Sequence, residues 1–164
     1  MSVPLLPDSA AFDVASSGIC PDEDARGVDR PQGDGCDIGA YESQGFSLEI
    51  GGGNDQSAVI GIQIGSPLTV TLDSPDGLEL DGYEVTFTGP TSGAGITPAT
   101  KTAATSAGVA SFTPTANDTV GEYRVSAAMT GFDTLWFDLT NLDDEFLTYL
   151  PFLYKNATIW PATE

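Results

Sequence analysis

The 24 Asp and Glu residues are the first candidates for chemistry in this sequence, and two short clusters of them stand out. Asp22, Glu23 and Asp24 form the first cluster, and Asp143, Asp144 and Glu145 form the second. A glycosidase needs two carboxylates held on opposite sides of a sugar bond, and nothing in either cluster places such a pair in a rigid cleft. The pattern therefore favours solvated loop charges over paired-acid catalysis.

The same clusters could instead supply oxygen ligands to Ca²⁺. Asp143, Asp144 and Glu145 would be the best candidates, with Asp22 and Asp24 as the second choice. The sequence lacks the D-x-[DN]-x-[DN]-G run with a closing Glu that identifies an EF-hand loop. We therefore predict no cofactor, and calcium remains the alternative.

Nucleophilic catalysis would lack its usual base, because the chain contains no His. A Ser-His-Asp triad is therefore excluded, and Lys101 and Lys155 lie in no motif that would pair them with a Ser. The triplet Gly51-Gly52-Gly53 is not followed by the Lys-Ser/Thr and helix of a phosphate-binding loop, so it predicts a flexible hinge. These patterns together predict a protein that is not an enzyme.

The net charge of −19, with only five Lys and Arg residues, argues against two classes of partner. Nucleic acid and anionic membrane surfaces are bound by clustered Lys and Arg, and no such cluster is present. No segment is long and apolar enough to span a bilayer, and the first residues lack the pattern of a signal peptide. We expect no nucleic-acid binding and no membrane insertion.

Cys20 and Cys36 are the two cysteines, and both lie in a region rich in Gly and Asp. They could be two free thiols or a disulfide that closes the loop between them. We favour the disulfide, because no CxxC pair and no His suggests a metal site instead. A disulfide implies an oxidising compartment outside the cytoplasm, so we expect an extracellular or cell-surface location.

The elements that must position these residues divide the chain into three parts. Residues 1–45 are loop-like, residues 46–141 alternate apolar and polar side chains, and residues 142–164 are acidic and then aromatic. The alternation predicts an all-β immunoglobulin-like β-sandwich of roughly seven strands, with 57–64 as a first edge strand. Tyr123 is a candidate tyrosine corner, a folding motif in which the hydroxyl bonds to nearby backbone.

Two apolar features are candidate partner contacts. Trp136 lies on the face opposite Leu135 and Phe137 in the last strand, where it is either exposed as a candidate contact anchor or covered by the tail. The aromatic tail could pack against its own sandwich or add as a strand to a neighbouring subunit. Its contact residues would be Phe146, Tyr149, Leu150, Phe152, Leu153 and Tyr154.

Residues about 52–141 resemble the bacterial immunoglobulin-like domains of the invasin and intimin type. The resemblance is carried by PLTVTLDSPDG, GYEVTFTGPTSGA, TSAGVASFTPTANDTVGEYRVSA and FDLTN. It implies an extracellular stalk or adhesin module.

Residues about 4–42 resemble the terminal segment of bacterial right-handed parallel β-helix proteins of the choice-of-anchor Q group. The matching run is DARGVDRPQGDGCDIGAYE. The resemblance implies an N-terminal, loop-rich segment like the one that closes the end of a β-helix. Within such a segment, we expect Arg26 and Arg30 to pair with nearby carboxylates such as Asp24, Asp37 or Glu42.

Taken together, these expectations describe a non-enzymatic extracellular structural or adhesive module. It would be the C-terminal part of a larger cell-surface or fibre-forming protein, with self-association through the tail and a surface glycan or protein as ligand. The alternative is a carbohydrate-binding or positioning appendage of a β-helix enzyme that processes polysaccharides.

Overall fold

A computed structural model of this 164-residue chain describes residues 4–7, 9–16 and 18–144. Within these residues the protein is all-β, with ten strands and no helix. The strands are β1 (Ser47–Gly52), β2 (Gln56–Val59), β3 (Leu68–Asp73), β4 (Glu84–Thr88), β5 (Ile96–Thr97), β6 (Thr100–Ala104), β7 (Val109–Phe112), β8 (Thr115–Ala116), β9 (Gly121–Ala128) and β10 (Leu135–Leu142).

Two sheets face each other across one core. The first has three strands in the order β1-β3-β7, and the second has five in the order β2-β10-β9-β4-β6. The short strands β5 and β8 form a separate pair. All pairings are antiparallel except that of β2 with β10, which is parallel. The arrangement is that of an all-β protein with a sandwiched core, as the sequence predicts.

The core follows from the alternation of side chains along the strands. In β3, β4, β9 and β10 every second residue is buried, because successive side chains of a strand point to opposite faces. Phe87 in β4 is fully buried, and its ring centroid lies 5.7 Å from that of Phe112 and 6.2 Å from that of Phe137. Since Phe112 belongs to β7, this aromatic contact joins the two sheets.

The glycine triplet does not form a hinge, contrary to the sequence-based prediction. Gly52 pairs with Thr69 of β3, so β1 includes Gly51 and Gly52 and ends before Gly53, with a register shift after Ile50. A Cβ atom added at Gly53 would collide with the backbone of Pro67. These glycines therefore allow β1 to approach its neighbour closely, which is a packing role.

The predicted first edge strand is present but shorter than expected. β2 covers Gln56–Val59 and lies at one edge of the five-stranded sheet, where Gln56 pairs with Leu139. The chain then turns away, and Ile64 enters the core as part of a loop that bonds to Pro114.

The tyrosine-corner prediction is wrong for Tyr123. Its hydroxyl oxygen is buried and has no hydrogen-bond partner among the described residues. Burial raises the pKa of this hydroxyl to about 12, because an apolar environment disfavours the phenolate.

Asn141 performs the loop-fixing role instead. Its side chain is fully buried, and its Nδ2 donates to the carbonyl oxygens of Gly95 and Thr119 at 2.9 and 3.1 Å, and to the side-chain oxygen of Asn117 at 3.0 Å. The end of β10 thereby holds two loops against the sandwich.

The described part of residues 4–45 contains no strand, only isolated bridges such as Ala15↔Cys36. Cys20 and Cys36 form a disulfide, with their Cα atoms 6.5 Å apart. At the other end of the chain, Glu145 and the predicted contact residues of the tail lie outside the described residues, and so does the rest of the tail.

Candidate functional sites

Asp24 is the centre of the first candidate site. It is buried, although the sequence predicts solvated charge for its cluster, while its neighbours Asp22 and Glu23 are exposed as expected. Its carboxylate accepts hydrogen bonds from the backbone N–H groups of Arg26, Val28 and Glu42 at 2.6, 3.1 and 2.9 Å. A segment without sheet pairing leaves such N–H groups in need of acceptors, and the Asp24 carboxylate supplies them.

Glu42 and Asp37 do the same for the rest of the segment. Glu42 accepts from the backbone N–H groups of Gln32 and Asp37, each at 3.0 Å. Asp37 accepts from those of Asp13 and Ser43 at 2.8 and 2.6 Å. These buried carboxylates organise the loops by charge-assisted hydrogen bonds, in a region that has few apolar side chains to bury.

Arg26 and Arg30 provide the opposing charge, as the sequence predicts. Arg30 lies 3.5 Å from the Glu42 carboxylate, measured from Nε to Oε2, and donates to the carbonyl oxygens of Asp37 and Gly39. Arg26 contacts Asp24 at 2.8 Å and donates to the carbonyl oxygen of Glu42. Its Cζ atom also lies 3.4 Å from the centroid of the Tyr41 ring, a position in which the ring face attracts a cation.

Asp76 connects this region to the sandwich. It lies in the turn after β3, and its Oδ1 is 2.9 Å from Nη1 of Arg26. The backbone N–H and the side-chain amide of Gln44 also donate to Asp76, at 2.9 and 3.0 Å. Nothing in the sequence marks Asp76 as the partner of Arg26, because 50 residues separate them and the DSPDG run predicts only a turn. We call Asp24, Arg26, Tyr41, Glu42 and Asp76 the junction cluster.

The junction cluster carries permanent charge at neutral pH. Burial alone would raise the pKa of Asp24, but the hydrogen bonds from Glu42, Val28 and Arg26 lower it well below its usual range. Burial likewise opposes ionisation of Asp76, yet the hydrogen bonds from Arg26 and Gln44 lower its pKa to about 2. Neither carboxyl group can act as a general acid near neutral pH, since that role requires a raised pKa.

The carboxylates of the cluster are also closed to a substrate. The side chains of Asp24 and Asp76 have 0% of their surface exposed, and that of Glu42 has 1%. What the arrangement can do is hold the loop-rich segment and the sandwich in one orientation, because each charged group has its partner on the other side of the junction or within the segment.

Acid should release this junction. Asp24 and Asp76 have depressed pKa values in the folded protein, so they stabilise it above the unfolded value of about 3.9, and the stabilisation is lost as the pH falls through the folded values. We expect the free energy of unfolding to change little between pH 7 and 5 through these groups, and to fall between about pH 4 and 2.

Urea unfolding measured at several pH values checks this expectation. Asp76→Asn should show a smaller acid-induced decline than the wild type, whereas Asp138→Asn, at an exposed ion pair, should retain the wild-type profile. Identical pH profiles for the wild type and Asp76→Asn would contradict the assignment.

Trp136 is the second candidate site. It lies on the outer face of the five-stranded sheet with 51% of its surface exposed. Beside it, Arg124 and Asp138 form an exposed ion pair at 2.6 Å, and a shallow groove of about 550 Å³ runs over this pair towards β2. The exposure agrees with the expectation from the sequence, while a contact role for Trp136 stays a prediction.

The calcium candidates do not converge in the described residues. No group of three or more His, Cys, Asp or Glu side chains there could hold a metal ion. Asp24 uses its oxygens for the hydrogen bonds above, and Asp143 and Asp144 are exposed, while Glu145 lies outside the described range.

In comparisons with known proteins, no family model, no curated protein and no solved structure matches this chain. Among the described residues, no helix is long and apolar enough to cross a membrane.

Proposed function

We propose that this chain is a non-enzymatic structural module of an extracellular or cell-surface protein, in which an immunoglobulin-like sandwich is joined rigidly to a β-helix-cap-like segment. The observation that carries the proposal is the junction cluster. Arg26 pairs with the buried carboxylate of Asp24 within the segment and with the buried carboxylate of Asp76 in the sandwich turn.

The strand order supports the immunoglobulin-like assignment. In that fold, strands A, B and E share one sheet, and strands C, F and G share the other, with further strands added beside C in variable-type domains. The orders β1-β3-β7 and β10-β9-β4-β6 follow the same plan, with β4, β9 and β10 in the positions of C, F and G.

A rigid joint suits a stalk or spacer. A pivot at the junction would separate Arg26 from Asp76 and leave the buried Asp76 carboxylate without its cation, and breaking a buried ion pair in this way costs about 3–5 kcal/mol. A second pair of contacts across the joint, from the Ser74 hydroxyl to the Gly45 carbonyl oxygen at 2.9 Å and between the Phe12 and Phe46 rings at 6.0 Å, adds to this restraint. The module would therefore fix the relative orientation of the parts of the protein on either side of it.

The disulfide and the charge fit an extracellular location. A structural disulfide persists in oxidising compartments, and Cys20–Cys36 closes the loop-rich segment where regular secondary structure is lacking. A net charge of −19 keeps an exposed protein dispersed.

Self-association through the aromatic tail is the adhesive part of the proposal. The described residues already enclose a core of buried side chains, with Phe87 and Phe137 fully buried. We therefore expect a variant that lacks residues 146–164 to keep the wild-type free energy of unfolding and to lose self-association. Sedimentation at 0.15 M and 0.5 M NaCl measures the association, since added salt screens the repulsion between chains of charge −19.

A second variant, Phe152→Ser with Leu153→Ser, removes apolar contacts of the tail while keeping its length and charge. It should also lose association. If the deletion instead unfolds the sandwich, the tail belongs to the core of its own chain. If the wild type is monomeric at both salt concentrations, the adhesive part of the proposal is wrong. The structural part is tested separately by the variants of the junction cluster.

The runner-up is a carbohydrate-binding appendage of a polysaccharide-processing β-helix enzyme. The observation that favours it is the exposed Trp136 on the outer face of the five-stranded sheet.

A further inference from the structure

The outer face of the five-stranded sheet carries an ordered set of hydroxyl groups beside Trp136. Pairing across the strands places Trp136 opposite Ser126, Ser126 opposite Thr88, and Thr88 opposite Thr100. These residues form one row across β10, β9, β4 and β6. Neighbouring strands lie about 4.8 Å apart, so the row extends roughly 14 Å from the indole to Thr100.

A second row runs parallel to the first. Ala128 lies opposite Thr86, and Thr86 lies opposite Thr102. The hydroxyl groups of Thr86 and Thr102 are 3.1 Å apart, and the Ser126 hydroxyl donates to the carbonyl oxygen of Thr88 at 3.2 Å. Their positions are therefore defined. We call the two rows together the Trp136 face: Trp136, Ser126, Thr88, Thr100, Ala128, Thr86 and Thr102.

The Trp136 face contains no charged side chain, in a chain of net charge −19. Charged groups on the same side of the sheet begin at its borders, with Glu84 next to the second row and the Arg124–Asp138 pair next to the first. Arg124 is occupied by Asp138 at 2.6 Å. The surface therefore has nothing to attract an anionic partner and suits a neutral one.

From this arrangement we propose that the Trp136 face binds a neutral polysaccharide strand. The C–H face of a sugar ring is apolar and packs on the indole, which offers a large flat apolar surface. The equatorial hydroxyl groups around the ring can form hydrogen bonds with the Ser and Thr hydroxyl groups of the face, because a hydroxyl group can donate and accept. The inference deepens the adhesive role, and it rests on the proposal that the module is exposed at the cell surface.

Other occupants fit this surface less well. A protein partner would bury several aromatic or aliphatic anchors at the centre of its interface, and Trp136 is the one large apolar side chain on the face. A second copy of this chain docked through the same face would have to overcome the repulsion between two chains of charge −19.

Native affinity electrophoresis of the full chain tests the proposal. The gels would contain one of four neutral polysaccharides, namely hydroxyethylcellulose, xyloglucan, galactomannan or dextran, with anionic alginate as the charged comparison. We expect at least one neutral polymer to retard the wild type and alginate to leave it unchanged. Trp136→Ala should weaken the retardation by about tenfold or more, as for an anchor residue, and Thr88→Val should weaken it by several-fold.

Thr71→Val is the matched control, because Thr71 is a half-buried Thr of β3 in the other sheet. It should bind as the wild type does, and equal urea midpoints should show that all three variants are folded.

Absence of retardation by all four neutral polymers overturns the proposal, and so does equal retardation of the wild type and Trp136→Ala. A wild type that is dimeric while Trp136→Ala is monomeric, without any effect of polysaccharide, would assign the face to a second copy. The variant without residues 146–164 should bind as the wild type does, so failure of tail association and failure of this site are separate results.

Discussion

Replacing Arg26 with Met should lower the free energy of unfolding by about 3–5 kcal/mol, the range for breaking a buried ion pair. The variant keeps an unbranched apolar side chain but removes the guanidinium group, which leaves Asp24 and Asp76 buried without their shared cation. Because 28% of the Arg26 side chain is exposed, water can reach the vacated position, and we expect the lower end of this range. The carbonyl oxygen of Glu42 and the ring of Tyr41 would lose the same partner.

Urea unfolding and amide hydrogen exchange together measure this effect. The N–H groups of Val28, Glu42 and Gln44 bond to Asp24 and Asp76, so their exchange should accelerate most. Amides in β9 and β10 should be affected less, because their ladder does not depend on the junction.

Arg124→Met is the matched control. It breaks the ion pair with Asp138, whose two side chains are 65% and 50% exposed, and exposed pairs contribute about 0–1 kcal/mol. Equal losses in Arg26→Met and Arg124→Met would show that the junction is no stronger than a surface pair, and the rigid joint would have to be abandoned.

Removing the disulfide should destabilise the loop-rich segment by about 3 kcal/mol, the value for a closed loop of this length. Cys20 and Cys36 are 16 residues apart in sequence. Cys36 is fully buried, and its backbone exchanges two hydrogen bonds with Ala15 at 2.9 and 3.0 Å. Without the covalent link, these bonds and the carboxylate network would have to hold the segment alone.

The double variant Cys20→Ala with Cys36→Ala isolates this contribution. We expect the amides of Ala15 and Cys36 to exchange faster, while those of Val125 and Phe137 in the sandwich keep their protection. Wild type treated with a reductant should behave like the variant. A uniform loss of protection across the chain would contradict this expectation, since it would mean that the segment and the sandwich unfold as one unit.

These two predictions share one physical basis. Residues 4–45 bury little apolar surface, so their structure depends on a covalent link and on carboxylates that accept backbone N–H groups. A single charged residue can therefore matter as much there as a large apolar residue does in the sandwich. The segment is therefore expected to be sensitive to reduction and to acid.

The all-β class and the alternation of buried side chains could be predicted from the sequence, and the disulfide could be favoured over two free thiols. Alternation in β3, β4, β9 and β10 can be seen in the sequence because a strand buries every second side chain. The ion pairs of Arg26 and Arg30 also follow from it, since few cations face many carboxylates within a short segment. The exposure of Trp136 follows from the alternation along β10, because its side chain points to the other face of the strand from that of Phe137.

Which distant residues meet depends on the tertiary fold. Asp76 joins Arg26, and Asn141 joins Asn117, through contacts that no local pattern encodes. The burial of Asp24 also depends on the tertiary fold. A loop residue is buried when other residues pack over it, and the number of charges nearby in the sequence does not indicate whether they do. The fold also places Trp136 on one face with Thr86, Thr88, Thr100 and Thr102. Strand order and register bring residues side by side across a sheet whatever their separation in sequence.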